Sequence, residues 1–215
     1  MTGDRRKFSR QQEEARRADL IAATIALVSD GGAGAATVRA IADKAGVTPG
    51  LIRHYFTSKE TLLRAAYAHV MQGMAATSLA VVETAPNRPE ARLAVFVAAS
   101  LRPPVVDPQA MGLWAGFLHQ MRRDADMRAA HEASYLHYRD LLQGLIAALP
   151  RMADAPRLRA DAIACNAVID GLWLEGCALP HAFGAGELEQ IGLHAVGAIL
   201  NFDLAAHMPQ EGVEP

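Results

Sequence analysis

The segment from Thr37 to Phe56 constrains the fold more than any other part of the chain, because it carries start and stop signals for two short helices. Its sequence is TVRAIADKAGVTPGLIRHYF. Thr37 is a favourable N-cap for the first helix, and Gly46 can adopt the left-handed conformation that ends it. Thr48 is the expected N-cap of the second helix, with Pro49 in its first turn. The pattern predicts two helices of about seven to nine residues around a tight turn, which is the helix-turn-helix plan.

The second helix of a helix-turn-helix is the one that enters the major groove of DNA. Ala42 is small where the two helices must cross, and Val47 fills the small core between them. Residues Thr48–Gly50 bring the backbone close to phosphates, since helix N-termini favour anions. Arg53 and His54 then offer donors to base edges or phosphates. These residues predict a surface that binds double-stranded DNA.

The chain as a whole is predicted to be all-α. Alanine accounts for 43 of the 215 residues, and aromatic residues account for only 6%. Alanine has the highest helix propensity, whereas aromatic and β-branched residues favour strands. The sequence also contains no strand-like alternation bounded by hairpin turns and no internal repeat.

The net charge of −2 conceals an asymmetry between the two ends of the chain. Residues 1–64 contain 11 Lys and Arg against 7 Asp and Glu, and residues 65–215 contain 10 against 16. A basic N-terminal part on an acidic body is typical of a chain whose N-terminus binds nucleic acid. A solvated helix face is the alternative explanation of the same charges.

Four segments are expected along the chain. Residues 1–10 form a flexible basic arm, which either enters the minor groove or is disordered in the free protein. Residues 11–57 form a three-helix DNA-binding domain, residues 58–205 a helical bundle for ligand binding and dimerisation, and residues 206–215 a frayed tail. The periodicity and the Pro and Gly breaks place the remaining helices at about 11–29, 58–84, 90–101, 109–122, 125–149, 157–179 and 187–202.

Catalytic and metal-binding motifs are lacking in the sequence. It contains neither G-x-S-x-G nor H-E-x-x-H, and the spacing of His119, His131 and His137 does not place paired ligands on one helix face. We therefore predict no enzyme activity, no metal and no cofactor. A helical enzyme and a helical interaction module without DNA binding are the alternatives from other classes, but the interaction module leaves the basic N-terminus unexplained.

The compartment is predicted from the N-terminus, the hydropathy and the cysteines. The segment from Thr2 to Arg17 is polar and basic, unlike a secretory signal. No apolar run reaches the roughly 18 residues of a membrane span. Cys165 and Cys177 lie in an apolar helical stretch and are expected to be core thiols rather than a disulfide or a metal pair. We expect a cytoplasmic protein that makes no membrane contact.

The stretch from Thr37 to Leu63 resembles the DNA-binding domain of the TetR family of bacterial transcriptional regulators. The residues that carry the resemblance are Thr37, Ile41, Ala42, Ala45, Gly46, Val47, Gly50, Ile52, Tyr55, Phe56, Lys59, Glu60 and Leu62. The resemblance adds Arg39, Tyr55 and Lys59 as contacts to the DNA backbone, with packing or solvation as the alternative. One departure is Arg53, because family members often have a tyrosine there, and an arginine can read a guanine instead. The predicted DNA-binding residues are Thr37, Arg39, Thr48, Pro49, Gly50, Arg53, His54, Tyr55 and Lys59.

A narrower resemblance is to the BetI branch of this family. It rests on Gly50–Phe56, with the sequence GLIRHYF, and on Ile169–Leu174, with the sequence IDGLWL. Members of the branch repress genes for choline uptake and for the conversion of choline to glycine betaine. The resemblance implies a repressor that a choline-like molecule releases from its operator. The alternative is a TetR-type regulator of efflux or catabolic genes that senses another hydrophobic or cationic molecule.

A helical bundle of this size can hold a small-molecule effector between its helices. Aromatic faces bind quaternary ammonium ions by cation–π attraction, and a nearby carboxylate adds charge complementarity. The predicted ligand-binding residues are Trp114, Phe117, Tyr135, Tyr138, Asp170 and Trp173. The alternative is that the aromatic residues only fill the core.

The last two predicted helices are apolar on two sides and must therefore be buried on two sides. The pattern groups Ile163 with Ala167, Leu174 and Cys177 on one helix, and Leu188 with Ile191, Ala195, Ala198 and Phe202 on the other. We predict a two-fold homodimer through these helices, which places two helix-turn-helix units on a pseudo-palindromic operator. The alternative is a helix internal to the bundle. The effector is expected to favour a dimer with the wrong separation of its DNA-reading helices, with the long helix after Ser58 as the lever.

Overall fold

The structure is a computed structural model that describes residues 2–122 and 124–209, with side chains over 11–118, 120–122 and 124–209. All regular elements within these residues are helical, which confirms the all-α prediction. The helices are α1 (Thr2–Ala35), α2 (Val38–Ala45), α3 (Pro49–Tyr55), α4 (Lys59–Thr84), α5 (Pro89–Ser100), α6 (Pro108–Met121), α7 (Ala125–Ala147), α8 (Ala155–Ala178) and α9 (Glu187–Leu200), followed by a short 3₁₀ helix at Ala205–His207.

Helix α1 is longer than the sequence pattern predicts. It begins at Thr2 rather than Gln11, so the backbone of Thr2–Arg10, which we expected to be a flexible arm, continues the first helix. Apart from Gly3 this stretch contains no strong helix breaker, so nothing in it stops the helix. Met1 and residues 210–215 of the predicted tail lie outside the described residues.

Two compact units make up the fold. Unit 1 consists of the chain up to Val70 together with Gly112–His131. Its core contains large apolar side chains that are almost fully buried: Leu20, Ile41, Ile52, Phe56, Leu62, Leu63, Tyr67, Phe117 and Met127. Helix α6 approaches α1 closely at Gly116, where an added Cβ would lie 3.3 Å from Val28 Cγ1.

Helix α1 leaves helical geometry near its C-terminal end, at Gly31 (φ −142°, ψ 15°) and Gly32 (φ 70°, ψ 178°). The positive φ of Gly32 lies in a region that residues with a side chain rarely adopt. The break allows the chain to leave the axis of α1 before α2 begins at Val38.

One segment of the described residues, Gln11–Ala35, is long and apolar enough to span a membrane by length and composition alone. This differs from our expectation that no apolar run reaches that length. The core helix of a soluble protein can have the same length and composition. In this structure Leu20, Ala23 and Val28 of the segment are buried in unit 1.

Unit 2 consists of Met71–Met111 and the chain from Glu132 onward. Helix α5 is its central element, because residues 93–100 are all buried. Helices α8 and α9 pack along each other and on α5. The internal helix of the bundle is therefore α5, while α8 and α9 each keep one face exposed.

The exposed faces of α8 and α9 carry large apolar side chains. Ile163 and Leu174 on α8 are 40% and 41% exposed, and Ile191 on α9 is 42% exposed. The sequence pattern groups Cys177 and Leu188 with these residues, but both are buried. Those two assignments are wrong, because each helix packs against both its neighbour and α5, and so its buried arc is wider than one stripe.

Both cysteines are free and buried in α8, which confirms that they are core thiols. Burial raises the pKa of Cys165 to about 12 and that of Cys177 to about 11. The thiols therefore remain protonated at neutral pH, in the form that is the poorer nucleophile and metal ligand.

Candidate DNA-binding surface and effector site

Helices α2 and α3 form the predicted pair of short helices around a tight turn. The Thr37 hydroxyl accepts a hydrogen bond from the backbone N–H of Ala40 at 3.1 Å and caps α2. Gly46 ends α2 in the left-handed conformation with φ 65°. The N–H of Val47 donates to the Ala42 carbonyl at 2.9 Å, and Ala42 is fully buried. The local geometry is therefore that of a helix-turn-helix.

The start of α3 differs from the prediction in one detail. Thr48 precedes the helix with extended backbone, and Pro49 occupies its first turn, but the Thr48 side chain makes no capping hydrogen bond. Thr48 is therefore the N-cap residue of α3, as the sequence predicts, but its side chain takes no part in the cap. The fixed φ of Pro49 already suits the first turn, so the helix can begin without that bond.

The predicted DNA-binding residues all lie in unit 1, on α2, α3 and their flanks. Seven of them are exposed: Thr37, Arg39, Thr48, Pro49, Gly50, Arg53 and His54. Tyr55 and Lys59 are half-buried, and the His54 and Tyr55 rings meet edge to face with centroids 5.0 Å apart. The opposite side of α3 is anchored by Ile52, which is 1% exposed. All nine residues thus lie within unit 1, on or beside α2, α3 and the start of α4.

Helix α4 begins next to α3. A side chain caps its N-terminus, and ion pairs connect its first turns to a segment distant in the sequence. The N–H of Thr61 donates to the Ser58 hydroxyl at 3.1 Å, which leaves Lys59 as the first helical residue. Arg64 forms ion pairs with Asp124 at 3.3 Å and Asp126 at 3.2 Å. These pairs hold α4 to the turn between α6 and α7 within unit 1, a contact that the sequence analysis did not predict.

Two of the predicted effector residues, Trp114 and Phe117, lie in unit 1. Phe117 is fully buried and packs edge to face on Tyr67, with ring centroids 5.0 Å apart. The Tyr67 hydroxyl is hydrogen-bonded to Nδ1 of His131 at 2.5 Å, and burial raises the pKa of Tyr67. Phe117 is thus a core residue of unit 1. The buried Tyr67 and the half-buried His131 form a polar pair that the sequence pattern missed.

The other four predicted effector residues lie in unit 2, and two of them meet. The Tyr135 hydroxyl donates a short hydrogen bond to Asp170 Oδ2. Asn166 Nδ2 donates to the same Asp170 oxygen at 2.8 Å and to the Tyr135 hydroxyl at 2.7 Å. Asn166 is 2% exposed, and its Oδ1 has no hydrogen-bond partner among the residues that the structure describes. We call Tyr135, Asn166 and Asp170 the polar cluster of unit 2.

Tyr138 and Trp173 have separate partners in unit 2. The Tyr138 hydroxyl donates a hydrogen bond to the Ser100 hydroxyl at 2.8 Å. The Ser100 hydroxyl in turn is hydrogen-bonded to the Ser78 hydroxyl at 3.1 Å. Trp173 Nε1 donates to the Val105 carbonyl at 2.8 Å. Both aromatic residues are thus fixed by hydrogen bonds within the bundle.

The pKa values of two tyrosine hydroxyls in and near the polar cluster, those of Tyr135 and Tyr138, are raised. Burial, and then the hydrogen bond and the charge of Asp170, raise the pKa of Tyr135 to about 12. Burial also raises the pKa of Tyr138. Both phenols therefore stay protonated at neutral pH and act as donors, so the negative charge of this cluster belongs to Asp170.

A cavity of about 320 Å³ lies elsewhere in unit 2. Its walls come from the α5–α6 loop, the end of α8 and the start of α9, and they include Leu101, Val106, Phe183 and Leu188. Arg102 and Glu189, 3.9 Å apart, also line it. None of the six predicted effector residues borders this cavity.

An exposed helix-turn-helix surface in unit 1, carried by a chain with a separate helical unit, defines a DNA-binding transcriptional regulator. Residues 20–66 match the family model described as bacterial regulatory proteins of the tetR family. Residues 89–201 match the model of the C-terminal part of BetI-type transcriptional repressors. The chain belongs to the TetR family and is a BetI-like repressor.

Curated relatives agree with this assignment. The HTH-type transcriptional regulator BetI of Burkholderia thailandensis is 31% identical over 163 residues, which cover 76% of this chain and 82% of the relative. A BetI of Burkholderia mallei matches with the same identity and coverage. These proteins and both family models are transcriptional regulators, which confirms that the chain is a regulator and not an enzyme.

Solved structures share the fold. A protein of Pseudomonas aeruginosa PAO1 described as a transcriptional regulator matches with a TM-score of 0.80 and 32% identity, over 90% of this chain and 94% of that one. A regulator of Saccharomonospora viridis in complex with choline has a TM-score of 0.68 and 19% identity, over 83% and 93% of the two chains. FadR of Bacillus subtilis in complex with stearoyl-CoA has a TM-score of 0.66 and 16% identity, over 85% and 96%.

Proposed function

We propose that this repressor is released from its operator by a small quaternary ammonium ion that binds at the polar cluster of unit 2. The observation that carries the proposal is the combination of a carboxylate, a tyrosine ring and a buried acceptor in one place. Asp170 supplies negative charge, and Tyr135 supplies an aromatic face. Asn166 Oδ1 is a buried oxygen without a hydrogen-bond partner in the described part of the chain.

Each group of the cluster matches one part of a choline-like ligand. A carboxylate in a partly buried site attracts a cation more strongly than it would in water. An aromatic face adds cation–π attraction to a methylated ammonium group. A buried acceptor without a donor is unfavourable, and the hydroxyl of choline would supply that donor to Asn166. The structure with choline from Saccharomonospora viridis supports choline as the first probe.

The test is a thermal-shift and calorimetric titration with choline, glycine betaine and tetramethylammonium. We expect choline to raise the melting temperature of the wild type, and Asp170→Asn to weaken choline binding at least tenfold. Asp140→Asn, on the exposed side of α7, is the matched control and is expected to bind as the wild type does. Asn166→Ala should weaken choline more than tetramethylammonium, because only choline has a hydroxyl.

Two results would contradict this effector site. One is that none of choline, glycine betaine and tetramethylammonium raises the melting temperature. The other is unchanged choline affinity in Asp170→Asn, with the helical circular dichroism signal retained. A response to lipophilic cations alone would favour the alternative of a regulator of efflux or catabolic genes.

The operator contacts are part of the same proposal. The N-terminal turn of α3 places the Thr48–Gly50 backbone against phosphates, while Arg53 and His54 face the major groove. Arg39, Tyr55 and Lys59, with Thr37 at the start of α2, contact the backbone of the duplex. The exposure of Thr37, Arg39, Arg53 and His54 supports these roles.

A cytoplasmic homodimer through α8 and α9 completes the proposal. Exposed leucine and isoleucine side chains on adjacent helices form an apolar patch of the kind that marks protein interfaces. Ile163, Leu174 and Ile191 supply the large side chains, and Ala167 and Ala198, also exposed, allow close approach. Two-fold pairing of these faces would present two copies of α3 to the half-sites of a pseudo-palindrome.

Release requires only that the cation binds one conformation better than the other. Couplings of this kind are typically about 1–3 kcal/mol. Helix α4 contributes residues to both units, up to Val70 in unit 1 and from Met71 in unit 2. It is therefore the element that we propose as the lever between the effector site and the DNA-binding surface.

A further inference from the structure

The C-terminal end of the reading helix α3 is held by a residue that none of the functions above assigns. Helix α3 ends at Tyr55, so the carbonyls of its last turn need partners from outside the helix. Arg17 of α1 supplies one of them. Its Nη1 donates to the Tyr55 carbonyl at 2.5 Å, across a separation of 38 residues in the sequence.

The same guanidinium makes a second contact at this end of α3. Arg17 Cζ lies 4.3 Å from the centroid of the Phe56 ring, and Phe56 is 1% exposed. The N–H of Phe56 in turn donates to the Ile52 carbonyl at 2.7 Å, so the ring is fixed to the helix. A planar guanidinium can stack on a ring and donate from its edge at once, which a lysine ammonium cannot do.

We propose that Arg17 is a positioning residue that sets the orientation of α3 for DNA reading. Its positive charge lies at the negative C-terminal end of the helix dipole, and its two contacts fix that end of α3 to α1. Arg53 and His54 belong to the same last turn. Their direction toward the bases therefore depends on where Arg17 holds Tyr55 and Phe56.

The adjacent arginine provides a matched control. Arg16 is exposed and pairs with Asp19 one turn away at 3.4 Å, within α1. Arg16 and Arg17 are adjacent on α1, and each carries one positive charge. Substitution of Arg16 therefore reports the loss of a nearby cation without loss of the tie to α3.

The experiment compares Arg17→Ala, Arg17→Lys and Arg16→Ala by fluorescence anisotropy. The probe is a duplex selected from a random-sequence library by the wild-type protein, called the selected duplex, with a scrambled duplex of the same composition beside it. Each affinity is measured as a function of salt concentration. Each phosphate contact that is lost lowers the magnitude of the logarithmic salt slope by about 0.9.

We expect both Arg17 variants to bind the selected duplex at least tenfold more weakly, with scrambled-duplex affinity within twofold of the wild type and an unchanged salt slope. Arg16→Ala should bind the selected duplex within twofold of the wild type. Wild-type affinity of Arg17→Lys for the selected duplex would overturn the proposal. Lysine keeps the positive charge, which is all that a phosphate contact needs, but it cannot make both contacts of the guanidinium. A smaller salt slope together with equal weakening on both duplexes would also overturn the proposal, because it would assign Arg17 to a phosphate contact. Loss of the helical circular dichroism signal in both Arg17 variants would overturn it as well and identify Arg17 as a residue needed for folding.

Discussion

Units 1 and 2 distribute polar and apolar groups in opposite ways. In unit 1 the large side chains that are exposed on α2 and α3 are polar or charged, such as Arg39, Arg53 and His54, while the large apolar residues are inside. In unit 2 the outward faces of α8 and α9 carry Ile163, Leu174 and Ile191. The interior of unit 2 in turn holds the polar cluster, where Asn166 Oδ1 lacks a partner.

The contrast shows which unit is complete without a partner. Exposed basic groups are well solvated in the free protein and displace the counterions of DNA only when they bind it, so the surface of unit 1 needs no cover. Exposed apolar area is unfavourable by about 25 cal/mol for each Å² that a partner would remove from water. A buried oxygen without a donor is unfavourable as well. Unit 2 therefore has two features that binding would relieve, one outside and one inside.

Leu174→Arg tests the outer apolar face and has the largest expected effect. A charge on the proposed two-fold interface would lie near its own copy in the partner, so we expect the protein to become monomeric. Affinity for the selected duplex should fall more than a hundredfold, because the two half-sites are no longer bound by one linked particle. Sedimentation equilibrium and anisotropy measure the two effects.

Met152→Arg is the control for that substitution. Met152 is fully exposed in the loop before α8, so the same change there adds an arginine away from the apolar faces. This variant is expected to keep the wild-type mass and affinity. A dimeric Leu174→Arg would show that α8 is not at the interface, and unit 2 would then need another explanation for its exposed leucine and isoleucines.

Arg53→Ala tests the outer basic surface of unit 1 and has an intermediate effect. Loss of a base-reading arginine typically costs about 1–3 kcal/mol, so affinity for the selected duplex should fall roughly 5- to 150-fold. Affinity for the scrambled duplex should change much less. Lys44→Ala, at the exposed end of α2, is the control and is expected to weaken both duplexes alike or neither. Equal weakening of both duplexes by Arg53→Ala would assign Arg53 to the phosphate backbone.

Local signals in the sequence predicted the elements but not their distant partners. Thr37, Gly46 and Pro49 mark the ends of α2 and α3 within a few residues of themselves, and the structure agrees with them at these points. Caps and breaks act over one helical turn, which is why a single sequence reveals them. Thr48 is likewise the N-cap of α3, but its side chain makes no capping hydrogen bond, which the sequence alone does not reveal.

Side-chain ties across the fold could not be predicted in this way. Arg17 reaches Tyr55 over 38 residues, Arg64 reaches Asp124 over 60, and Tyr67 reaches His131 over 64. The periodicity of each helix shows that a residue faces inward or outward, but it does not show which helix lies opposite. For the same reason the sequence grouped six effector residues that the structure divides between the two units.

Tyr135→Phe tests the inner polar cluster of unit 2 and has the smallest expected effect. In the folded protein the pKa of the Tyr135 phenol is raised from 10.0 to about 12, first by burial and then by Asp170. Between these pH values the unfolded chain has lost a proton that the folded chain keeps. Stability from this group is thus complete below pH 10 and falls as the pH rises toward 12.

Replacement of Tyr135 by phenylalanine removes this proton release on unfolding. The urea midpoint should therefore fall less than it does in the wild type between about pH 9.5 and about pH 11.5, which are roughly half a unit below and about one and a half units above the ordinary tyrosine pKa. Asp170→Asn should shift the slope in the same direction, because it removes the charge that raises the Tyr135 pKa. An unchanged slope in Tyr135→Phe would mean that the phenol is solvated in the folded protein. The polar cluster would then be in contact with water and not part of the interior of unit 2. The contrast between the two units would rest on their outer faces alone.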